Sequence, residues 1–277
     1  MSPGGTGINF GGTVNSAETA SLDAVAVVIP VHNEEQHVER ALVAVRAAVD
    51  FLKARRPGID ARVMVVLDAC TDNSGFLARR FAAADPRFIV MDAAFRCVGK
   101  SRRAGIEALW DGPCDAGSAV PASRLWLANT DADSCVPRNW LVRQVALADA
   151  GADVVLGSVE PDAEGMDPDL VRRWRFRHPL GEDHPHVFGA NLGVRADAYV
   201  ATGGFQAVDS GEDRLLVTRL RRGGARILAT DSTRVLTSGR TEARAPRGFA
   251  GYLLSLTREP AALQPAALEP AAWKADY

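Results

Sequence analysis

Asp131 and Asp133 stand two positions apart in "NTDADSC", directly after the apolar run "RLWLAN" and just before Pro137. Two hard carboxylates so spaced at the mouth of a sheet suit Mg²⁺ or Mn²⁺, cations that take oxygen ligands and share them with substrate phosphates. A plainer role fits the same residues: Asp133 or Ser134 as the cap of a helix beginning near Pro137. No His or Glu beside the pair completes a closed cage, and the chain has no HExxH. A metal here is therefore expected in an open site that depends on a diphosphate, where it would act as a Lewis acid on phosphate oxygens.

Other residues carry related chemistry. Asp68 and Asp72 lie in "VVLDACTDNS". A carboxylate at a strand end can accept from a ring N–H of a base or from a ribose hydroxyl, whereas Asp72 and Ser74 also suit the cap of the next helix. "GKSRRAG" sets Lys100, Arg102 and Arg103 at a helix N-terminus, where positive side chains oppose the macrodipole unless an anion lies near. The P-loop pattern GxxxxGK[ST] is absent. "SGEDRLLV" brings Glu212 and Asp213 to another helix start, a position that acidic residues favour for dipole reasons alone and that equally suits a general base facing a hydroxyl nucleophile. His184 and His186 line a loop, "EDHPHVFGAN", with no nucleophilic Ser or Cys in a triad context.

The elements that must position these groups alternate in type. "AVAVVIP", "RVMVVLD", "RFIVMD", "RLWLAN" and "ADVVLGSVE" are apolar strand candidates. Between them lie amphipathic segments: Glu34 to about Leu52, "NSGFLARRFAAA", "GKSRRAGIEALW" and a helix from Pro137. Strands apolar throughout and separated by helices predict an α/β fold, a mostly parallel sheet covered by helices on both faces. Right-handed crossovers then put every strand's C-terminal end at one edge, where ligands bind in open sheets. The loops "PVHNEE", "DACTDNS" and "DADS" would meet there. Beyond residue 160 the pattern is less regular, with "DPDLVRRWRFRHPL", a helix "RADAYVAT", a strand pair "ARILAT" and "TRVLTS", and an amphipathic "PRGFAGYLLSL".

Composition bounds the classes. A formal net charge of −2 argues against nucleic acid or an anionic membrane held by bulk electrostatics. Cys70, Cys97, Cys114 and Cys135 are scattered without a CxxC pair, which predicts reduced thiols rather than a zinc site or disulfide framework. No signal-peptide pattern opens the chain and no apolar stretch approaches the ~20 residues of a membrane span. The expectation is a soluble, cytoplasmic protein with no transmembrane segment.

With these motifs in place, the chain over roughly residues 23 to 240 resembles the family-2 glycosyltransferases of the GT-A fold, a Rossmann-like nucleotide-diphospho-sugar transferase architecture. "VVIPVHNEE" is similar to that family's opening strand and loop, which implies Pro30, His32, Asn33 and Glu34 around the nucleotide. "VVLDACTDNS" resembles its second strand end, implying Asp68 on the base. "GKSRRAG" is similar to its Ala-Arg-Asn-x-Gly segment, with Arg102 at the arginine, Arg103 replacing the asparagine and Lys100 beside them. "NTDADS" resembles the DxD element, implying Asp131 on ribose or metal, Ala132 at the nucleotide and Asp133 on Mg²⁺ or Mn²⁺. "FGANLGVRADAYVATGGF" is similar to the acceptor-side loop, implying Gly189 and Asn191 at the acceptor. "GED" resembles the Glu-Asp pair, with Asp213 as the base and Glu212 beside it. Six motifs in order make this resemblance specific.

There are departures. Many relatives carry a metal-binding histidine after the second-half strands, and "RVLTSGR" has none. The QxxRW of processive members is missing, "RAPRGF" (244–249) being a loose echo.

The resemblance implies a hexosyltransferase-like enzyme that moves one sugar from a nucleoside-diphosphate donor to a hydroxyl of a small-molecule, glycan or lipid acceptor, with inversion in a single displacement. The Gly-, Ser- and Thr-rich residues 1–22 predict a flexible leader and the Pro-Ala-Ala repeat a Pro/Ala-rich tail (258–277); between them a nucleotide-binding half (23–160) and an acceptor-binding half (161–257) are expected, with Trp174, Arg175 and Arg177 in the region that would shape the acceptor pocket. Two alternatives stay open on the residues alone: a sugar-phosphate nucleotidyltransferase, disfavoured by the absence of glycine in "PVHNEEQHVER", and a non-catalytic sugar-nucleotide-binding protein.

Overall fold

The computed structural model describes residues 21–110, 120–241 and 248–258. Most of the leader and all but the first residue of the Pro/Ala tail lie outside them, as do Cys114 and most of "RAPRGF". The strands are β1 (Ala24–Val31), β2 (Asp60–Asp68), β3 (Phe88–Ala93), β4 (Leu125–Asn129), β5 (Ser134–Cys135), β6 (Val154–Pro161), β7 (Leu192–Arg195) and β8 (Ile227–Thr237). The helices are α1 (Val38–Arg55), α2 (Ser74–Ala84), α3 (Val98–Trp110), α4 (Trp140–Asp149), α5 (Pro168–Arg177), α6 (Ala196–Ala201), α7 (Glu212–Arg222) and α8 (Phe249–Thr257).

All eight strands join one sheet in the order β3-β2-β1-β4-β7-β6-β8-β5. The pairs β2–β3, β1–β2, β1–β4 and β6–β8 are parallel, while β7 and β5 run antiparallel to their neighbours. Strand order reverses between β1 and β4, so a crevice opens outside their C-terminal ends.

The sheet's pleat divides the apolar runs between two cores. On one face Val27, Ile29, Val63, Val65 and Trp126 pack with Leu42, Val45 and Val49 of α1 and Trp140 and Val145 of α4. On the other, Val28, Met64, Val66 and Leu127 pack with Ile106 of α3 and Leu216 and Leu220 of α7. Burial on both faces is why these strands read as continuous apolar runs rather than alternating ones. A third, smaller cluster joins Leu170 and Trp174 of α5 to Leu253 and Leu256 of α8. No helix among the described residues is long and apolar enough to cross a membrane.

Three local expectations need correction. "ARILAT" and "TRVLTS" are not a strand pair but the two ends of β8, which runs parallel to β6 through a register shift between Gly157 and Val159. The polar "TDST" between them looks like a turn, yet its side chains find partners in the sheet. Asp231 accepts hydrogen bonds from Ser158 and Arg234, and Thr230 bonds to Ser232. The helix expected from Pro137 begins at Trp140, and the one expected from Glu34 begins at Val38 after a turn closed on the Glu34 carbonyl. Neither Asp133 nor Ser134 caps α4: Asn139 holds the cap position, and Ser134 belongs to β5.

Helix α3 approaches the sheet closely because Gly105 has no side chain. A Cβ there would stand 2.7 Å from a Val28 methyl and 2.9 Å from one of Val66. Both neighbours are β-branched and have little freedom to yield. Gly105→Val is expected to lower the unfolding free energy by about 1–3 kcal/mol in urea titration. Gly58→Ala, at an exposed turn with no atom within 4 Å of the new carbon, should stay within about 0.5 kcal/mol of the parent.

Candidate active site

The loops after β1, β2, β3 and β4 meet over the crevice. Three of the four non-glycine residues with left-handed backbone in the described chain follow β1, β2 and β3: Asn33 (φ 54°), Ala69 (φ 51°) and Arg96 (φ 48°). Such conformations persist only where surrounding contacts hold them. Here the contacts are visible. Asn33 Oδ1 accepts from the Thr71 amide at 2.7 Å, and the His32 ring bonds to the Asp68 carbonyl at 2.6 Å.

Asp68, at the end of β2, is buried, and its carboxylate faces the start of α3. It accepts from the Arg96 and Cys97 amides at 2.8 and 3.0 Å and from the Ser101 hydroxyl at 2.8 Å. Burial pushes its pKa up, but these hydrogen bonds outweigh it and hold the carboxyl below the ordinary value. Asp68 thus anchors the β3–α3 loop and supplies negative charge at that helix N-terminus. Asp72, four residues on in the same loop, accepts from the Ser74 amide at 3.0 Å, but neither it nor Ser74 holds the cap position of α2, which falls to Asn73.

The three basic residues of α3 diverge. Lys100 is exposed, and Arg103 pairs along the helix with Glu107 at 2.8 Å. Arg102 points inward and is 2% exposed. One terminal nitrogen donates to Asp131 at 2.5 Å and the other to Glu212 at 2.7 Å. The anion that a basic helix start calls for is here the protein's own carboxylates. Gly189 leaves room for this guanidinium, since a Cβ at that position would lie 2.2 Å from Arg102 Nη1.

The Gly189 amide in turn donates to Asp213 Oδ2 at 2.8 Å, while Asp213 Oδ1 accepts from the Arg214 amide at 2.7 Å. Asp213 is half-buried at the first turn of α7, with each oxygen retaining an unused acceptor site. Its neighbour Glu212 is buried. Desolvation pushes the Glu212 pKa up, the Arg102 charge pulls it down, and the nearby Asp213 and Asp131 charges add to a net rise.

Asp133 lies on the other side of the β4 loop, with Ala132 buried between the two aspartates. Its partner is Arg240, which follows β8. Arg240 Nη2 forms an ion pair with Asp133 Oδ2 at 3.0 Å, while its hydrogen bonds go to Glu34, whose two oxygens accept from the two terminal nitrogens at 2.6 and 2.7 Å. Burial raises the Asp133 pKa to about 6. The Asp131 and Glu34 charges add to the rise and the Arg240 charge opposes it.

Glu34, Asp131, Asp133, Glu212 and Asp213 therefore share one edge of the sheet with two guanidinium groups, Arg102 and Arg240. This excess of hard oxygen donors fits a divalent cation. Among the described residues no group of three or more His, Cys, Asp or Glu side chains is arranged to hold a metal by itself.

Sequence reasoning missed Arg240. "RVLTSGR" drew attention for the histidine it lacks, although its terminal arginine was in plain view. Two other expectations change place. Asn191 is fully buried and its amide is spent in the core, accepting from Trp140 Nε1 at 2.9 Å and donating to the Ser158 and Thr233 carbonyls at 2.8 and 2.7 Å. Trp174 is likewise buried, stacked on His178 with ring centroids 4.5 Å apart. Arg175 is exposed and paired with Glu160 at 2.8 Å. His184 and His186 continue the aromatic column toward Phe188, next to Gly189.

A mostly parallel sheet with helices on both faces, reversing order where the acidic loops meet, defines a GT-A-like architecture. The chain belongs to glycosyl transferase family 2, whose model matches residues 26–199. It is 27% identical over 232 residues to the succinoglycan biosynthesis protein ExoA of Rhizobium meliloti (strain 1021), covering 79% of this chain and 64% of that one. Among solved structures it is similar in fold to the mannosyltransferase PcManGT from Pyrobaculum calidifontis in complex with GDP-Man and Mn²⁺ (TM-score 0.57, 19% identity, 79% of this chain and 58% of that chain). TarS of S. aureus gives the same TM-score at 16% identity, over 79% of this chain and 37% of that chain. The chain thus spans less than two thirds of each of these relatives. Family and fold together support glycosyltransferase activity in general.

Arg102 gives the site's geometry a direct test. Removing one partner from a buried ion pair leaves the other uncompensated. Arg102→Met is expected to cost about 3–5 kcal/mol of unfolding free energy in urea. The double variant Arg102→Met/Glu212→Leu, which removes the stranded charge as well, should recover most of that loss.

Proposed function

We propose that the protein transfers a single hexosyl residue from a nucleoside-diphosphate sugar to an acceptor hydroxyl of a small molecule, glycan or lipid, inverting the anomeric carbon in one displacement. The observation that carries this reading is the meeting, at the switch point of the sheet, of Asp131 and Asp133 from the β4 loop with Glu212 and Asp213 from the start of α7, joined through Arg102. A relative of the same fold held GDP-Man and Mn²⁺, which is consistent with a sugar nucleotide and a divalent ion at this edge.

In this reading Pro30, His32, Asn33 and Glu34 border the nucleoside, with Asp68 fixing the loop that forms the pocket's far wall and Lys100 at its rim. Asp131, with Ala132, faces the ribose and the diphosphate. Asp131 and Asp133 would hold Mg²⁺ or Mn²⁺, which when bound supplies positive charge to the departing diphosphate.

Asp213 removes the acceptor proton. The Gly189 and Arg214 amides fix the orientation of its carboxylate, so the lone pair that takes the proton points in a constant direction. The proton goes to Asp213, the acceptor oxygen bonds to the anomeric carbon, and the bonding pair of the sugar–phosphate link leaves with the diphosphate. Glu212 acts through Arg102: it neutralises and aims the guanidinium that steadies Asp131, and with Gly189 it borders the acceptor's approach. Electrostatic stabilisation of the leaving diphosphate is the larger catalytic contribution, and base catalysis adds ~10²–10⁴-fold.

Asp213→Asn keeps the size of the side chain and an oxygen for one of the two amide donors, but its Nδ2 cannot accept from the other and it cannot take a proton. It is expected to bind the nucleoside-diphosphate donor with unchanged affinity and to transfer sugar at least about a hundredfold more slowly. Radiolabelled transfer set beside calorimetric donor binding checks this; equal turnover in the variant would remove Asp213 from its role.

A further inference from the structure

Arg102 and Arg240 are the two guanidinium groups among the acidic residues of the site, and they differ in what they are free to do. Arg102 is sealed beneath Gly189 and over the Phe205 ring, 5.6 Å from its centroid, with both terminal nitrogens committed. Arg240 also has both terminal nitrogens engaged, by Glu34, but it is partly exposed, its side chain 24% accessible. It sits on the short segment after β8, which is docked by the Ser238 amide to the Asp133 carbonyl at 3.0 Å. A cavity of about 310 Å³ opens beside the Asp133–Arg240 pair, lined also by His37, Arg40 and Asp162. Arg240 thus has room to turn away from Asp133, and Arg102 does not.

The positive charge of Arg240 lies on the carboxylate that would bind a divalent ion. Two cations cannot share Asp133 without repulsion, so the ion must displace or outbid the guanidinium. A guanidinium is also suited to phosphate oxygens, which it can meet with two parallel hydrogen bonds.

We propose that Arg240 is a resident counter-cation of this site: it holds Asp133 and Glu34 in the unliganded protein, yields Asp133 to the divalent ion, and turns to the diphosphate that enters with that ion. This rests on the sugar-nucleotide reading given above and adds a rule of binding to it. Mn²⁺ alone competes with Arg240 and binds weakly. A nucleoside diphosphate relieves the competition by giving the guanidinium a new partner, so Mn²⁺ and nucleotide bind cooperatively. Linkage requires each to strengthen the other by the same factor.

The test uses the whole chain, without turnover. Mn²⁺ binding is measured by electron paramagnetic resonance of the free ion, with and without UDP or GDP, whichever binds the parent more tightly. Arg240→Gln removes the charge and keeps a hydrogen-bond donor. It is expected to bind Mn²⁺ alone about tenfold more tightly than the parent, and the nucleotide in saturating Mn²⁺ about tenfold more weakly, within the usual range of site-to-site coupling. Arg240→Lys, which keeps one positive charge, should bind Mn²⁺ alone like the parent.

Equal or weaker Mn²⁺ binding by folded Arg240→Gln overturns the proposal. Should that variant fail to fold, tighter Mn²⁺ binding by Arg240→Lys than by the parent overturns it instead. Asp133→Asn separates this from failure of the underlying reading. If it binds Mn²⁺ as the parent does, Asp133 is not a ligand and both fall. If it loses Mn²⁺ while Arg240→Gln gains nothing, the role of Arg240 alone is wrong.

Discussion

A buried guanidinium ties three distant segments of the chain together at the sheet edge. Arg102 comes from α3, and its two terminal nitrogens reach Asp131 after β4 and Glu212 at the start of α7. An isolated charge at this depth would be prohibitively costly, so the arginine and its carboxylates must be formed together. The consequence is geometric. Wherever Arg102 is satisfied, the DxD loop, Gly189 and the first turn of α7 are brought into register, and Asp213 is held by the Gly189 amide that lies over the guanidinium. Glycine at 189 is part of the same constraint, because any side chain would occupy the space the guanidinium needs.

The second constraint is an imbalance of charge. Carboxylates outnumber guanidinium groups at the sheet edge, and a substrate diphosphate would add further negative charge. In the proposed reading, positive charge enters with the diphosphate to offset that excess. Burial, with the neighbouring carboxylate charges added, raises the pKa of both Asp133 and Glu212. Arg240 offsets part of it, in contact with Asp133 and with both oxygens of Glu34.

Much of this was legible in the sequence because the physics is local. Doubly buried strands such as "AVAVVIP" and "RVMVVLD" must be apolar throughout, and helices between them must show one apolar face. The acidic loops were found for the same reason, since parallel connectivity forces them to one edge. What escaped was set by partners distant in the chain. β7 is four residues long and β5 two, too short to show a period. β8 was split in two because the polar "TDST" gives no sign that Ser158 and Arg234 wait beside it. Asn191 carries a side chain typical of a binding loop, but its amide completes bonds to Trp140, Ser158 and Thr233 inside the core. Arg240 lies more than a hundred residues from Asp133 in sequence, and no spacing rule joins them.

We propose that these carboxylates form one cation-dependent diphosphate site at the C-terminal edge of β1 and β4. Anomalous diffraction from crystals grown with Mn²⁺ and a nucleoside diphosphate tests it most directly. A single strong manganese peak is expected against the Asp133 carboxylate, with the phosphates coordinated to the same ion and Asp213 facing the open space beyond them. Manganese and nucleotide bound together at another face of the sheet, with the Asp133–Arg240 pair undisturbed, would contradict it.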